Sequence, residues 1–580
     1  MSVSQVNKLN DHFKLPIYYN DKKQPIAENI ANDLELIKTI DTDVSPIYDY
    51  FFNNSNAVST QITKQVAQYY TTDNKFLKDN QKLLKTYTKP ETRYANVSPD
   101  YSKFVTIWDE IKNDTGFKEK YYYINWSSWE FLNKSESFLQ VMSVYNIASP
   151  LVSLLIPVII LIIPFFIIRF KGLQLTATEY LDVLKVIMSN HAIGKLFTQF
   201  NSVSAQQKLY LLLSAGFYVF SIYQNAHVCM RYNTNMKQIH QHLSDVREYI
   251  DHTVSTMNHY SSVAADLVTH AKFNDNLREK MRTLIEFRDA IATITKYEMT
   301  NYKKVSEIGR VLKLFYELYQ DEKLNDAIMY SIGFNGYVDC IEGLVDNIFN
   351  KQLNFASFTK TSTKSVFKNS YYACLKDSAP VKNTVRLKKN IIITGPNASG
   401  KTTILKSTLI NVIVTQQFGC GFYDSAKLKP FKYIHCYLNI PDTSGRDSLF
   451  QAEARRCKEI LDVISDNKKD GHFCVFDELY SGTNPDEAIT SASAFMEYMV
   501  KNRGVYCMLT THFVDICNKL NDNLAIENCN MLANKDGNRL RYTYKLTPGI
   551  SNVKGGVNIL ADMNYPDEII QRASIVDFFQ

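Results

Sequence analysis

Residues 391–403 read Ile391-Ile392-Ile393-Thr394-Gly395-Pro396-Asn397-Ala398-Ser399-Gly400-Lys401-Thr402-Thr403. Three β-branched residues predict a short buried strand, Gly395 to Gly400 a loop without bulky side chains, and the proline-free run from Thr402 to about Phe418 a helix. Gly395, Gly400, Lys401 and Thr402 fill the fixed positions of GxxxxGK[ST]. In that pattern the loop N–H groups and the helix N-terminus face an anion, the lysine reaches the outer phosphates, and the hydroxyl ligates Mg2+. The stretch implies a cradle for nucleotide phosphates. Four fixed positions between a strand signal and a helix signal separate it from an ordinary glycine turn.

Working outward, 580 residues exceed the roughly 250–300 at which single cores stop growing, so two or more domains are expected. The net charge of +6 is mild and by itself does not indicate nucleic acid. All ten cysteines follow residue 228 without a CxxC pair. Cys474 and Cys507 lie in apolar strand-like runs, where cysteine behaves as a small hydrophobe, so a reducing compartment is expected. The first thirty residues are polar and hold no apolar core, which argues against a cleaved signal peptide.

Four segments follow from composition. Residues 1–146, rich in Tyr, Asn, Asp and Lys, show short helical patterns such as Ile26 to Ile40 and no recognisable chemistry. Phe117-Lys118-Glu119 has the Phe-x-Glu form that some mismatch readers wedge into DNA, but two fixed positions recur easily in a chain this rich in Phe. Residues 147–225 are expected to form a membrane hairpin. Its first run, Leu151 to Ile168, is unbroken and apolar, ends at Arg169 and Lys171, and would be roughly 27 Å long against ~30 Å of hydrocarbon. Its second, 209–223, carries Tyr210, Tyr218 and Tyr223 and reads as a return span or a buried helix. A buried hairpin in a soluble protein is the alternative for both. The connection carries Arg169, Lys171, Lys185, Lys195 and Lys208, which conflicts with a cytoplasmic nucleotide site on the other side, whereas breaks at Pro157 and Pro164 would make the first run re-entrant.

Residues 226–350 are expected as an all-α arm. Ile239, Leu243, Val246, Ile250, Val254, Met257, Tyr260, Ala264 and Leu267 recur at steps of three and four, one apolar stripe on a long helix. Between 239 and 349 stand 12 Lys/Arg against 17 Asp/Glu. A clamp on DNA gains affinity by neutralising phosphates, and an acidic arm is poorly suited to that. The basic excess lies instead between Lys351 and Lys389, nine Lys/Arg against Asp377 alone, a solvated face or a site for lipid headgroups or a nucleic-acid backbone.

Residues 351–580 carry the remaining chemistry. Lys432 to Leu438 predicts a strand, and Phe473-Cys474-Val475-Phe476-Asp477-Glu478 another that ends in two carboxylates. In P-loop ATPases the first such acid holds Mg2+ and the second polarises the attacking water, roles that fall to Asp477 and Glu478. A further strand, Tyr506 to Leu509, precedes Thr510-Thr511-His512 and places His512 at a strand's carboxyl end, where open α/β sheets bind ligands. There it would sense the γ-phosphate, or else is simply a satisfied histidine at a helix start.

Together these pieces resemble the ATPase domain of the MutS DNA mismatch-repair family, within the wider ABC ATPase class, from about Val381 to the C-terminus. Gly395 to Thr403 looks like the family's P-loop, with Ala398-Ser399 where Met-Gly is usual. Asn383 matches an asparagine just before the P-loop strand, and Asp442 to Glu453 resembles the signature loop whose serine, here Ser448, reaches the partner subunit's nucleotide. Gly482-Thr483-Asn484, Leu546 to Ser551, Pro566 and Arg572-Ala573 match later family positions, and the LSGGQ signature of transporter cassettes is absent.

The resemblance implies an α/β P-loop ATPase domain of ABC/MutS type and a homodimer closed by ATP and reopened by hydrolysis. Asn383, Gly395, Pro396, Asn397, Ser399, Gly400, Lys401, Thr402, Thr403 and Ser448 would bind ATP; Thr402 and Asp477 would hold Mg2+; Glu478 and His512 would be catalytic. The N-terminal half does not look like the family's mismatch-reading and connector domains. Two readings result: a membrane-anchored MutS-type ATPase acting on DNA with its ATPase domain facing the cytoplasm, or a membrane-anchored mechanical ATPase acting on lipid or a protein partner. A transporter half is disfavoured, since two spans cannot readily line a pathway.

Overall fold

The computed structural model describes residues 9–41, 43–54, 56–89, 101–172, 176–190, 195, 200, 204–295, 297, 302–359, 364–438, 448–536, 539–553 and 555–578. They form two compact units interleaved in sequence, one from the described parts of 94–254 and 282–327, the other from those of 3–93, 255–281 and 328–580.

The first unit is helical. A helix runs from Glu136 to Phe170, and a second, Ala205–Val263, begins in this unit. Pro157 and Pro164 both lie inside the first helix, so of the alternatives left open the re-entrant one is not adopted: a proline removes one backbone hydrogen bond, and the turns on either side carry the helix through. Among the described side chains of the two apolar runs, Leu211 is buried, but Leu151 is exposed by 60%, Phe166 by 63%, Leu213 by 54% and Phe217 by 71%, so the runs are not a hairpin buried within this chain. One stretch, Glu136–Leu155, is long and apolar enough to cross a membrane by length and composition among the described residues. The second run falls short of that measure, because serines and tyrosines dilute it. Phe117 is buried and stacks on Tyr319 at 4.2 Å with Phe315 at 5.3 Å, so it is a core residue with no edge to offer DNA. The predicted stripe from Ile239 to Leu267 is buried at every position, although the helix itself ends at Val263.

The second unit holds the sheets. β1 (Lys23–Pro25) and β2 (Tyr69–Thr71) form an antiparallel ribbon. A small sheet joins β3 (Asn354–Phe358), β4 (Ser365–Ser370), β5 (Asn383–Leu387), β7 (Cys420–Gly421) and β8 (Ser425–Leu428) in the order β5-β4-β8-β3-β7. The main sheet consists of β6 (Asn390–Thr394), β9 (Tyr433–Tyr437), β10 (His472–Asp477), β11 (Val505–Thr510), β12 (Ile526–Asp536) and β13 (Arg539–Pro548), in the order β13-β12-β6-β11-β10-β9. Five of these strands are parallel, and β13 pairs antiparallel at the edge. Helices cross between successive parallel strands, burying both faces, which is why β6 and β10 read as continuous apolar runs instead of alternating.

Residues 9–89, silent in the sequence, belong to this unit and surround the C-terminal end of the helix Lys401–Phe418. Gln417 donates to the carbonyls of Val66 and Tyr69 and accepts from the Tyr48 hydroxyl. Asn80 donates to the Gln417 carbonyl, and Gln81 to those of Gly419 and Ala356. The side chains of Tyr48, Asn80, Gln81 and Gln417 are all buried, so each would carry a desolvation penalty if unpaired.

Candidate functional site

Because β6, β10 and β11 are adjacent and parallel, their carboxyl ends lie along one edge of the sheet, and each delivers polar groups there. β6 ends in Thr394 and the chain turns through Gly395 (φ 154°) and Gly400 (φ 93°) into the helix that starts at Lys401. Both glycines occupy backbone regions that disfavour a side chain, and a Cβ on Gly395 would stand 2.9 Å from Ser399 Oγ. Ser399 Oγ is buried without a hydrogen-bond partner among the described residues.

Lys401 follows, only 6% exposed, and its ammonium donates to the carbonyls of Gly395 at 3.0 Å and Pro396 at 3.1 Å. Burial pushes its pKa down, and the carboxylates of Glu478 and Asp477 oppose that shift. β10 ends in Asp477, held from two sides: the Thr402 hydroxyl donates to Oδ2 at 2.8 Å, and the Thr510 hydroxyl, from the end of β11, donates to Oδ1. The next residue, Glu478, has left-handed backbone (φ 51°), as does Tyr480 (φ 59°). His512 Nε2 lies 2.8 Å from Glu478 Oε1 and 3.3 Å from the Lys401 ammonium. The hydrogen bond from His512 holds the Glu478 carboxyl below its usual range, against the desolvation that raises it.

A cavity of about 600 Å3 opens beside the loop, lined by Asn397, Ser399, Gly400, Lys401, Thr402, Thr403, Glu478 and Asn383 among others. Pro396 stands in the turn itself, its carbonyl on Lys401. Asn383 also uses its amide to bind β13, donating to the Tyr544 carbonyl at 2.9 Å and accepting from Leu546 N–H at 2.8 Å. Tyr371, Tyr372, Met531 and Tyr544 also line it, distant in sequence and carrying no motif that would mark them.

Ser448 does not line this cavity. It is the exposed N-cap of the helix Leu449–Asp466, in a capping box with Gln451. The preceding loop residues Asp442 to Asp447 lie outside the described residues. That helix is nonetheless tied to the end of β10. The buried Glu453 accepts from Ser481 Oγ at 3.1 Å and Gly482 N–H at 3.2 Å, and a Cβ on Gly482 would stand 2.7 Å from Leu449 Cγ. Neither the Glu453 tie nor the Thr510 hydrogen bond was assigned a role from sequence. Thr510 had one available signal, its place at the end of a strand adjacent to the acidic one.

The arrangement defines an open α/β domain that presents a glycine loop, one buried cation, two hydroxyls and two carboxylates at a single sheet edge. Comparison with known proteins agrees in kind: residues 391–577 match the family model of MutS domain V. The Endonuclease MutS2 of Staphylococcus saprophyticus is 28% identical over 253 residues, 43% of this chain and 31% of that protein. The DNA mismatch repair protein MutS of Persephonella marina is 24% identical over 295 residues, 48% and 33% of the two chains. MutS protein homolog 4 of Mus musculus is 26% identical over 326 residues, 54% and 31%. The chain is thus similar to the MutS family in its C-terminal part and spans about a third of the length of these relatives.

Proposed function

We propose that this chain is a P-loop ATPase of MutS type, binding and hydrolysing ATP with Mg2+ as a homodimer that the nucleotide switches. The observation that carries the reading is the convergence of Lys401, Thr402, Asp477, Glu478 and His512, in mutual contact, at the ends of three adjacent parallel strands. The residues fit the group: the glycine turn admits a phosphate close to the backbone, Ser399 offers a buried unpartnered hydroxyl, and Lys401 is a desolvated cation.

The loop N–H groups from Asn397 to Thr403 and Lys401 would hold the phosphates, and Thr402 with Asp477 the Mg2+. ATP supplies the phosphoryl group whose transfer to water is the reaction. Glu478 orients and deprotonates that water, and His512 fixes the Glu478 carboxylate. Ser448, exposed at a helix N-terminus, would meet the phosphate of a second copy's site, and the nucleotide site would face the cytoplasm.

DNA is the substrate class in the name of the Persephonella relative. The acidic balance of residues 239–349 favours a second reading, a mechanical ATPase acting on lipid or a protein partner. For the shared core, Lys401→Ala should abolish nucleotide binding, whereas Glu478→Gln should retain binding and lower turnover by roughly 10²–10⁴-fold. Normal turnover in Glu478→Gln removes Glu478 from its role. Side-by-side stimulation of turnover by mismatched duplex and by liposomes separates the two substrate readings.

A further inference from the structure

The helices Glu136–Phe170 and Ala205–Val263 meet as an antiparallel pair: Cys229 Sγ approaches the Ile147 carbonyl at 3.4 Å, the Tyr218 hydroxyl donates to the Ser153 carbonyl at 3.3 Å, and the Asn225 amide donates to Ser153 Oγ. The polar groups named face each other inside the pair. Outward, large apolar side chains are exposed on both helices, Leu154, Ile163 and Phe166 on one and Leu213, Phe217 and Phe220 on the other, by between 47% and 71%. A helix resting on a protein core exposes a polar face and buries a stripe, and this pair does the reverse.

Charge placement sets the limits of the zone. No Asp, Glu, Lys or Arg occurs from 209 to 230 or from 137 to 168. The register of the pair brings Arg169 and Lys171 level with Lys208 at one end, while Arg231 closes the other. Twenty-two helical residues between these cations extend about 33 Å, the thickness of a bilayer's hydrocarbon layer. Exposed tyrosines, Tyr145 and Tyr210, stand near the two rims, where amphipathic rings settle at headgroup level.

We infer that this pair is a bilayer-inserted helical hairpin, its occupant a lipid bilayer and its rim cations complementary to phosphate headgroups. The second helix is less apolar than a solitary span requires, but two of its polar side chains, Tyr218 and Asn225, lie against the first helix, where they are satisfied. A groove for a soluble partner would leave the opposite faces polar, and a second copy would cover one face only. The inference uses nothing of the nucleotide site.

The test takes the full chain, purified in detergent and reconstituted into phosphatidylcholine vesicles containing one part in about five of phosphatidylglycerol, as wild type and as Leu154→Arg/Phe217→Arg. Wild type should float with the vesicles and resist alkaline extraction, and the double variant should lose both by at least about tenfold while keeping its circular dichroism. A wild type that extracts at alkaline pH, or a double variant that floats equally, overturns the inference. So does a detergent-free wild-type dimer that the double variant dissociates, since the occupant is then a second copy. Should the arginine variant misfold, Phe217→Trp read with lipids brominated at mid-chain decides: quenching beyond the wild-type background supports insertion, and none refutes it.

Discussion

Replacing Glu453 by alanine probes the tie between the helix that Ser448 caps and the segment that leaves β10. Glu453 is 2% exposed and accepts from Ser481 Oγ and Gly482 N–H. Hydrogen bonds to a charged group contribute about 1.5–3 kcal/mol each, so two represent about 3–6 kcal/mol. Removing the carboxylate also returns part of the several kcal/mol that burying it required, leaving a net loss of about 2–4 kcal/mol. The same residue over-determines a strained segment, because Glu478 and Tyr480, both at positive φ, each store about 1–2 kcal/mol that a freed loop would release by relaxing.

Two readouts follow. In thermal unfolding followed by circular dichroism, a loss near 3 kcal/mol should lower the midpoint by about 4 °C, because a unit of about 370 residues carries an unfolding entropy of about 0.8 kcal/mol/K. ATP turnover should fall by more than nucleotide affinity does, since Glu478 loses its fixed position while Lys401 and the glycine loop keep theirs. Glu453→Gln keeps the shape but turns a donor toward one of the two donors, and should recover only part of the loss. A Glu453→Ala protein with unchanged midpoint and unchanged turnover refutes the reasoning, because the tie would then hold nothing.

His512→Ala removes the hydrogen bond that depresses the Glu478 pKa, so the acidic limb of the turnover–pH profile should move to higher pH; an unmoved limb would show that Glu478 does not set it. His270 is fully buried between Asn80 and Tyr260, and burial lowers its pKa to about 4. Its folded pKa lies below the unfolded one near 6.5, so the unfolded chain binds the proton first; stability should drop as pH falls from about 6.5 toward 4, by up to about 3 kcal/mol, in urea titrations, and His270→Gln should flatten that slope. Thr510→Val, which deletes the hydroxyl on Asp477 Oδ1 at nearly constant volume, should weaken Mg2+-dependent nucleotide binding and reduce stability by about 1.5–3 kcal/mol, measured by calorimetry and by denaturant unfolding.

What the sequence disclosed was whatever depends on near neighbours. Ile391 to Phe418 shows its strand, turn and helix because buried β-branched residues, glycines at positive φ and a proline-free run are all local signals. Asp477 and Glu478 were visible for the same reason, at the end of an apolar run. The Glu453 tie was not, because it joins residues 28 and 29 positions apart by polar bonds that leave no periodicity. Pro157 and Pro164 left a break open in the sequence: proline is a local breaker, yet a long helix supported on both sides absorbs it. Phe117 illustrates the weakness of a two-residue pattern, since its ring is fixed by Tyr319 and Phe315, some 200 positions away. Residues 9–89 were mute because they act through single amides and hydroxyls aimed at a distant helix end.

That helix end bears on how the protein can be dissected. Gln416 and Gln417 are buried, and their amides find carbonyls on Thr71, Val66 and Tyr69. A fragment beginning at residue 351 would therefore carry the whole glycine loop and both acids yet leave these amides, and the apolar surface around Phe418, facing water. The segment that bears the glycine loop is not a portable module: excised, it should aggregate or fail to order, and supplying residues 9–89 as a separate peptide should rescue it. Ribosomal synthesis delivers those residues first, so they must wait for more than three hundred later positions before the surface they complete exists.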